Sequence, residues 1–563
     1  MAKGFATPTA TRRLHLLNSL PGLALILLLI WSLALALLWS WVAKPPPLPT
    51  EAHLDRLVIT KGTDGRLWVG RNWLGSYGGL HVLYLEGSPV EMGYANGVLT
   101  GRLMHRQEDA LAELVRTHIP SAWVQNTLKF ILAFHTRRLP TFIRQEHQLE
   151  ILGLTLGCPD VHPELGPYYH RLLNYHAAHD ISHMAVDRAW LSGCTSFGVW
   201  GRATLDGHLL AGRNFDWEAA TVFDRDRVLI LCRPDHGIPF VSLAWAGMVG
   251  VVSGMNQAGV SVTLNGARGR PPTGAGTPIA LVARQVLQEA RHLADAVRII
   301  SQATVFVSEL FLVGSREDGR FIVIEKTPSQ TAVRSSEDGR VVCANHFETP
   351  ELRNDPNNLA YLADSTSLAR HARATELLSE PSGTLTPERL AAILRDRCLA
   401  GGVFVGNGHR AALNALLATH AVILDLTDGI FWAAAPPHQL GPFVAVDLAT
   451  LEITPPDRWI QPDPMLLSGD YARHTNAIHL LQQTRAALRS GDATRALAAA
   501  EMATADNPGF YKILWAKAEA LFHLGRAAEA RATYQAALDA RPAFPSEQAE
   551  LRLILDTLSA PGN

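Results

Sequence analysis

The sequence predicts an α+β protein whose antiparallel sheets carry helices on their outer faces, followed by a helical tail. Between residues 194 and about 460, many strand-like runs are joined by short turns, with helical stretches near 278–301 and 364–379. Sequential strands joined in this way favour antiparallel sheets with helices packed outside. From about residue 475 to the end, small and apolar residues instead recur with a fixed period.

Composition excludes several classes of protein. The chain has 563 residues, enough for two to four domains, and 47% of them are hydrophobic. Its formal net charge of −2 gives neither the basic footprint of a nucleic-acid-binding protein nor a disordered composition. Five cysteines would leave at least one thiol free in an oxidising compartment, and no spacing pattern pairs the others.

An uncharged apolar segment, residues 20–43, predicts a transmembrane anchor. As a helix it would extend about 36 Å, against about 30 Å of hydrocarbon in a bilayer. Lys3, Arg12 and Arg13 precede it, so we expect a cytoplasmic N-terminus and an extracytoplasmic body, periplasmic or extracellular. A buried core helix is the alternative. The Pro-rich residues 44–50 then form a stiff linker.

The tail contains an internal repeat. Gly491 and Gly525 are 34 residues apart, and so are Pro508 and Pro542. This period and residue pattern resemble tetratricopeptide repeats. We expect two repeats and a final helix near 546–558, packed on the preceding domain because so few repeats do not stand alone. An unrelated pair of helical hairpins is the alternative.

Cys194 follows Gly193 and opens a strand-like run, which suggests a chain that cuts itself between these two residues. A thiol with a pKa of about 8.5 needs a base at neutral pH. An α-amine has a pKa of about 7.7–8.0, so an N-terminal cysteine carries nucleophile and base together. The uncut chain lacks that amine, and processing should therefore precede activity.

An Asp-Gly turn at 206–207 predicts a hairpin that returns Arg213 and Asp216 toward Cys194. A two-residue turn would pair Asp216 with Phe197, about 10 Å short of the thiol, so a longer loop or a bulge is needed. Asp216 could then orient the α-amine, and Arg213 could hold a carboxylate or lower the thiol pKa. An ordinary ion pair is the alternative.

Two asparagines end strand-like runs and are candidate oxyanion donors. Asn265 follows residues 259–264, and Asn345 follows residues 340–344. Acyl transfer needs such donors where negative charge develops. Each asparagine is alternatively a turn former.

Together these blocks resemble the isopenicillin N acyltransferase-like cysteine enzymes. These are N-terminal-nucleophile (Ntn) hydrolases, related more distantly to choloylglycine hydrolases and acid ceramidase. The resemblance covers about residues 80–450. Its motifs are Cys194-Thr195-Ser196, Gly212-Arg213-Asn214-Phe215-Asp216-Trp217, Asn345-His346-Phe347, the upstream residues 87–93 and the late Ser/Arg element at 364–370.

The resemblance implies a four-layer αββα sandwich. To this core the chain adds the predicted transmembrane helix before it and the α-helical repeat pair after it. It implies autoproteolysis between Gly193 and Cys194, with Cys194 as nucleophile. Arg373 lies one helical turn from Arg370 on the same face, and is the alternative for the late arginine. The implied catalytic set is Cys194, Arg213, Asp216, Asn265, Asn345 and Arg370.

The domain organisation follows from these segments. We predict a cytoplasmic basic N-terminus (1–19), the anchor (20–43), the linker (44–50), a propeptide region (51–193), the catalytic domain (194–465) and the repeats (475–560). A zinc site on His176, His179 and His183, spaced along one helix face, is an alternative to a polar helix face, but it matches no named motif. We therefore expect no metal and no cofactor.

The predicted function is that of a membrane-anchored, self-processing cysteine amide hydrolase or acyltransferase. It would act on a linear or acylated amide through an acyl-enzyme on Cys194. The predicted partners are a small acyl-amide substrate, the membrane through residues 20–43 and a protein on the repeat tail, with no nucleic acid. The alternative is a catalytically silent anchored protein whose repeats bind a partner. No residue selects among substrates.

Overall fold

The structure is a computed structural model that describes most of the chain after residue 40. The described residues are 25–26, 28–29, 31–33, 36–37, 40–50, 54, 57–178, 180–181, 193–218, 220–269, 275–381 and 383–559. Within them, the predicted mixed α+β sandwich and the helical tail are confirmed.

The predicted membrane anchor, and with it the membrane localisation, is wrong. No helix within the described residues is long and apolar enough to cross a bilayer. The end of the 20–43 segment packs on protein instead, because Trp41 makes edge contacts with Phe130 and Phe134, with ring centroids 5.0 and 4.9 Å away. Ala43 is buried, and its N–H donates to His170 Nδ1 at 3.1 Å. Parts of the segment (20–24, 27, 30, 34–35 and 38–39) lie outside the described residues.

The described chain contains eighteen strands in two sheets. They are β1 (Ile59–Lys61), β2 (Leu67–Val69), β3 (Asn72–Tyr77), β4 (Leu80–Gly87), β5 (Thr195–Val199), β6 (Leu210–Asp216), β7 (Arg227–Pro234), β8 (Phe240–Trp245), β9 (Ser253–Asn256), β10 (Val260–Gly266), β11 (Glu309–Ser315), β12 (Arg320–Lys326), β13 (Thr331–Arg334), β14 (Arg340–Cys343), β15 (Ala418–Asp425), β16 (Ile430–Ala434), β17 (Phe443–Asp447) and β18 (Glu452–Ile453).

The described helices of eight or more residues surround the sheets or form the tail. They are α1 (Pro89–His118), α2 (Ala122–Thr136), α3 (Gln145–Gly157), α4 (Tyr168–His176), α5 (Ile279–Glu289), α6 (Leu293–Gln302), α7 (Pro356–Ala363), α8 (Ser367–Leu378), α9 (Pro387–Leu394), α10 (Asp470–Arg489), α11 (Ala493–Asp506), α12 (Tyr511–His523), α13 (Ala527–Asp539) and α14 (Pro545–Ser559). The expected helix at 278–301 is thus two helices.

The larger sheet has the strand order β1-β2-β3-β4-β7-β8-β9-β10-β11-β12-β13, and the smaller has the order β14-β5-β6-β15-β16-β17-β18. Neighbouring strands are antiparallel with one exception among the described pairs. β4 and β7 run parallel, from the pair His81–Val228 to the pair Gly87–Pro234. The segment upstream of Cys194 therefore forms one edge of the larger sheet rather than a separate domain.

The two sheets stack face to face. Val82 and Leu312 of the larger sheet share one apolar cluster with Ala211 and Val422 of the smaller sheet. Helices α1, α5 and α6 cover the outer face of the larger sheet. Helices α8 and α9 cover the outer face of the smaller sheet. Because each sheet is covered on both sides, its central strands are buried on both faces, and the layers run α, β, β, α.

The upstream motif at 87–93 begins α1. Ser88 Oγ donates to Glu91 Oε2 at 2.6 Å, which ties the residue before the helix to its first turn. Gly93 then allows α3 to approach closely, since a Cβ there would lie 1.9 Å from the Glu150 carbonyl oxygen. This motif therefore serves packing of the first helix layer.

The tail consists of two helical hairpins, α10–α11 and α12–α13, followed by α14. The predicted final helix near 546–558 is confirmed at Pro545–Ser559. The tail packs on the preceding domain, because Phe510 and Tyr511 share an apolar cluster with Val405 and Ala411.

Candidate active site around Cys194

The β5–β6 hairpin brings Cys194 beside Asp216. Thr195 pairs with Asn214 in the antiparallel register, and the Gly193 N–H donates to the Asp216 carbonyl oxygen at 3.2 Å. The connection between Val199 and Leu210 is longer than a two-residue turn. This longer loop closes the gap that a tight Asp-Gly turn would leave.

The Cys194 thiol is buried in the continuous chain. Burial raises the pKa of the thiol to about 11, although the Arg213 and Arg370 cations oppose this shift. Arg213 Nη2 lies 3.8 Å from Cys194 Sγ. In the uncut chain the thiol is therefore neutral, and a proton acceptor is needed to activate it.

Arg213 is held in place by groups from three neighbouring strands. Nη1 donates to Ser253 Oγ at 2.6 Å and to His420 Nε2 at 2.7 Å, and Nη2 donates to the Leu264 carbonyl. Burial, together with the Arg213 cation, holds the pKa of His420 well below its usual range. The imidazole is therefore neutral and accepts the guanidinium N–H through Nε2.

The Asp216 carboxyl lies at the end of β6, next to the bond before Cys194. A Cβ built on Gly193 would be 3.6 Å from Asp216 Oδ2. Burial raises the pKa of Asp216 to about 6, although Arg370, Arg410 and Arg213 oppose the shift. Such a carboxyl exchanges its proton near neutral pH, as a general base must.

Arg370 contacts the Cys194 backbone. Its Nη1 donates to the Cys194 carbonyl at 2.5 Å and to Thr195 Oγ1 at 2.7 Å, and its Nη2 donates to Asn345 Oδ1 at 2.7 Å. Arg373 instead forms a two-point pair with Asp396, with both N–O distances 2.9 Å. Of these two arginines, Arg370 is the one that the structure brings to Cys194.

Asn345 joins the site through Arg370 and a serine of the 364–370 element. Its backbone N–H donates a hydrogen bond to Ser367 Oγ at 2.9 Å. Its side-chain Nδ2 donates to the Gly266 carbonyl, also at 2.9 Å. His346 Nδ1 lies 2.8 Å from the same Ser367 Oγ. The 364–370 element thus orients the strand end that carries Asn345.

Asn265 is placed differently from the expected oxyanion donor. Its Nδ2 donates to the carbonyls of Cys343 and Ala344, both at 2.9 Å, and its Oδ1 accepts from Ser196 Oγ at 3.2 Å. Both amide hydrogens of Asn265 are therefore bonded to backbone carbonyls. In this arrangement the side chain connects the two sheets and has no free N–H to donate to an oxyanion.

Two residues of the site carried no signal in the sequence. Ser253 and His420 come from separate strands, 167 positions apart along the chain, and meet 3.2 Å apart beside Arg213. Only the pairing of β15 with β6 brings His420 there. A serine in a strand and a histidine in an apolar run are too common to single out without that pairing.

An apolar cavity of about 180 Å³ lies beside the site. Phe215 lines it, and the Phe215 ring centroid is 4.4 Å from Arg213 Cζ, next to the thiol. The Trp217 and Trp245 rings on its wall have centroids 5.8 Å apart. Arg268 contributes a polar group to the lining. Cys194 does not itself line this cavity, which reaches the site through Phe215 and has the shape and apolar walls to hold an apolar group.

Of the three histidines of the alternative zinc site, the structure describes only His176. Both His176 nitrogens are engaged, Nδ1 with the Leu172 carbonyl at 2.8 Å and Nε2 with the Val249 N–H at 2.9 Å. His179 and His183 lie outside the described residues. Elsewhere, His208, Asp425 and Asp428 are close enough to hold an ion, away from Cys194.

The five cysteines are all described, and all are free thiols. Burial raises the pKa of Cys232 and of Cys343 to about 12. Cys232 also has an arginine beside it, since Arg284 Nη2 lies 3.7 Å from its Sγ. What distinguishes Cys194 is its place directly after Gly193, where Arg370 contacts its carbonyl and Asp216 lies beside the preceding residue.

Comparison with known proteins identifies two parts of the chain. Residues 203–400 match the family described as acyl-coenzyme A:6-aminopenicillanic acid acyl-transferase. This stretch of the chain is therefore similar to that acyltransferase family. The match begins after Cys194 and contains the other five predicted catalytic residues. Residues 481–545 match a tetratricopeptide repeat, so both resemblances inferred from the sequence are confirmed.

Curated relatives match part of this chain. An uncharacterized protein of Archaeoglobus fulgidus is 29% identical over 350 residues, which is 55% of this chain and 57% of that protein. The protein dcd1B of Dictyostelium discoideum is 24% identical over 263 residues, 43% of this chain and 50% of that protein. The chain spans little more than half the length of the curated relatives it matches.

Solved structures also resemble the chain. An N-acylethanolamine-hydrolyzing acid amidase ortholog of Caenorhabditis elegans is 18% identical with a TM-score of 0.31, covering 42% of this chain and 93% of that one. Conjugated bile acid hydrolase from Clostridium perfringens is 13% identical with a TM-score of 0.33, covering 46% of this chain and 95% of that one.

Proposed function

We propose that this protein is a self-processing cysteine Ntn hydrolase or acyltransferase that acts on amides of apolar acyl groups. One observation carries the proposal. Arg213, Asp216 and Arg370 converge on a cysteine that directly follows a glycine, inside a chain that matches an acyltransferase family over residues 203–400. The proposed catalytic domain is 194–465, with 51–193 as the upstream fragment and 475–560 as the repeats.

The first step we propose is cleavage of the Gly193–Cys194 bond. The Cys194 thiol gives its proton to Asp216, and Sγ attacks the Gly193 carbonyl carbon. The amide C–N bond breaks as a thioester forms, and the Cys194 nitrogen takes up a proton. Water then hydrolyses the thioester, leaving a Gly193 carboxylate and an N-terminal Cys194 with a free α-amine and a free thiol.

The second step uses the new terminus. The α-amine of Cys194 takes the thiol proton, and Sγ attacks the substrate carbonyl to form an acyl-enzyme. Asp216 and Arg370 position the amine, Arg370 through its bond to the Cys194 carbonyl. Arg213 stabilises the thiolate that forms. Water or an acceptor amine then releases the acyl group, giving hydrolysis or acyl transfer respectively.

The cavity indicates the acyl class. Its aromatic and aliphatic walls offer favourable burial to a hydrocarbon chain, at about 25 cal/mol per Å² of apolar surface. Trp217, Phe223 and Trp245 form one side of it. We therefore propose that the acyl group enters this cavity and that the carbonyl carbon lies at Cys194.

A denaturing gel of purified protein tests the first step. We expect two fragments, residues 1–193 and 194–563. Mass spectrometry should show that the smaller fragment ends at Gly193 and that the larger begins at Cys194. Cys194→Ala should give one full-length band, and Cys158→Ala is the matched control that should still be cut. A full-length band in the natural protein, unchanged by Cys194→Ala, would favour the alternative of a silent repeat protein.

Hydrolysis assays test the second step. The processed protein is incubated with a dodecanoyl aminocoumarin amide, N-acyl amino acids, penicillins, bile-salt conjugates and ceramides. We expect turnover of at least one apolar acyl amide, and none with Cys194→Ala. A protein that is cut but turns over none of these probes would contradict the proposed activity.

A further inference from the structure

The loop that precedes β15, residues 403–416, lies between the repeat tail and the candidate active site. We call it the Arg410 loop. It packs against the tail through Gly406, where φ is +90° and a Cβ would lie 2.7 Å from the Phe510 nitrogen. Only glycine fits so close an approach in this backbone conformation. The loop is therefore shaped to receive the tail.

Hydrogen bonds fix the loop to the tail. The Asn407 N–H donates to Asn507 Oδ1, and Asn507 Nδ2 donates back to the Asn407 carbonyl, both at 2.9 Å. His409 Nε2 lies 2.8 Å from the Arg541 carbonyl oxygen. Asn507 is buried and Asn407 is half-buried. A reciprocal pair of hydrogen bonds of this kind fixes the position of the loop as well as its distance from the tail.

The other side of the loop contacts the strand that carries the site. Asn214, which lies between Arg213 and Asp216, donates through Nδ2 to the Leu413 carbonyl at 2.9 Å. Arg410 is buried, and its Nη1 lies 3.5 Å from Glu218 Oε2, two residues after Asp216. The Arg410 loop is thus held between Asn507 of the tail and β6 of the site.

We propose that the repeat tail is a working part of the catalytic centre, because it holds Arg410 beside Asp216 and makes Arg410 a positioning residue for that carboxylate. This inference rests on the proposed function. It gives the tail a role inside the enzyme, in addition to any partner that its outer surface binds.

The charges around Asp216 show what Arg410 does there. The charged groups with the largest effects on this carboxyl are Arg370, Arg410, Arg213 and Glu218, and the Cys194 thiol also interacts with it. The first three lower the pKa of Asp216 and Glu218 raises it, against a larger increase from burial. Withdrawing the Arg410 cation should therefore raise that pKa further and require a higher pH to ionise the carboxylate.

The experiment compares pH profiles of kcat/KM for the full-length processed protein, using the dodecanoyl aminocoumarin amide. Activity should fall as the pH drops, because the α-amine of Cys194 becomes protonated and because Asp216 must be ionised to position that amine. Arg410 acts on the second of these two contributions to the acidic limb. In Arg410→Gln we expect this acidic limb to move upward by on the order of one pH unit. Arg410→Lys, which keeps the charge, should restore much of the shift.

The tail is tested by Asn507→Ala. Its acidic limb should move in the same direction as that of Arg410→Gln. The matched control is Asn476→Ala, since Asn476 bonds Asp506 within the tail at 2.6 Å and is exposed. Melting temperatures of both variants check folding, because a merely structural loss would lower the amount of enzyme without moving the limb.

The outcomes separate this inference from the proposed function. A natural protein that is not cut, or that hydrolyses no probe, refutes the proposed function and this inference with it. If the natural protein is active but the acidic limb of Arg410→Gln does not move, only the proposed role of the tail is refuted. The same holds if Asn507→Ala and Asn476→Ala have their acidic limbs at the same pH.

Discussion

Asp216 should destabilise the folded protein at neutral pH, and its replacement by asparagine should stabilise the chain. Its pKa is raised from 3.8 to about 6, because burial disfavours the carboxylate. Since the folded pKa lies above the unfolded one, the contribution of Asp216 to folding stability is greatest below pH 4, is lost as the pH rises from about 4 to about 6, and is constant above that. Two pKa units at about 1.36 kcal/mol each give a cost of roughly 3 kcal/mol.

The assay compares Cys194→Ala with Cys194→Ala/Asp216→Asn, so that both proteins remain uncut. The asparagine is uncharged at every pH and escapes the cost of burying an anion. At pH 8 we expect the double variant to melt a few degrees higher, given about 2.1 cal/mol/K of unfolding entropy per residue over several hundred residues. At pH 4 the two melting temperatures should converge.

The same substitution in the natural background should abolish cleavage, so that stability rises where function is lost. Equal melting differences at pH 4 and pH 8 would refute the reasoning, since the effect would then not depend on ionisation. A lower melting temperature for the double variant at pH 8 would show that the carboxylate stabilises the fold through its arginine neighbours.

Three further predictions concern the rest of the site. Arg370→Lys keeps the charge but loses the fork that reaches the Cys194 carbonyl, so self-cleavage should slow about 10- to 100-fold, while Arg373→Lys should be cut at the natural rate on timed gels. Asn265→Ala leaves two buried carbonyls without their side-chain donor, so the free energy of unfolding measured by chemical denaturation should fall by about 2–4 kcal/mol. If the variant is instead fully folded but no longer cuts itself, Asn265 has a catalytic role. Ala246→Phe places a ring in the cavity and should reduce kcat/KM for long acyl chains more than for short ones, whereas equal losses would contradict the acyl assignment.

Much of the architecture could be predicted because it is written in local patterns. The strand runs, the 34-residue period and the final helix each depend on residues close together in the chain. The hairpin also returned Asp216 to Cys194, through a longer loop than a tight Asp-Gly turn. The motifs from Arg213 to Arg370 likewise pointed to the acyltransferase family, which residues 203–400 match.

What could not be predicted depends on distant contacts. Arg370 and Arg373 share a helix face. Only the packing of that helix shows that Arg370 contacts the Cys194 carbonyl and that Arg373 pairs with Asp396. Asn265 ends a strand as an oxyanion donor would, yet the neighbouring sheet supplies two carbonyls for its amide. Hydrophobicity alone predicted a membrane helix at 20–43, since it does not show that Trp41 packs on α2.

The parallel pairing of β4 with β7 determines what becomes of the molecule if the chain is cut before Cys194. The two strands lie on opposite sides of that bond in sequence, yet they are neighbours in one sheet from His81–Val228 to Gly87–Pro234. The severed pieces would be two subunits of an obligate heterodimer encoded as a single chain. Residues 1–193 and 194–563 produced as separate polypeptides should consequently assemble only when they fold together, and neither piece should be soluble alone.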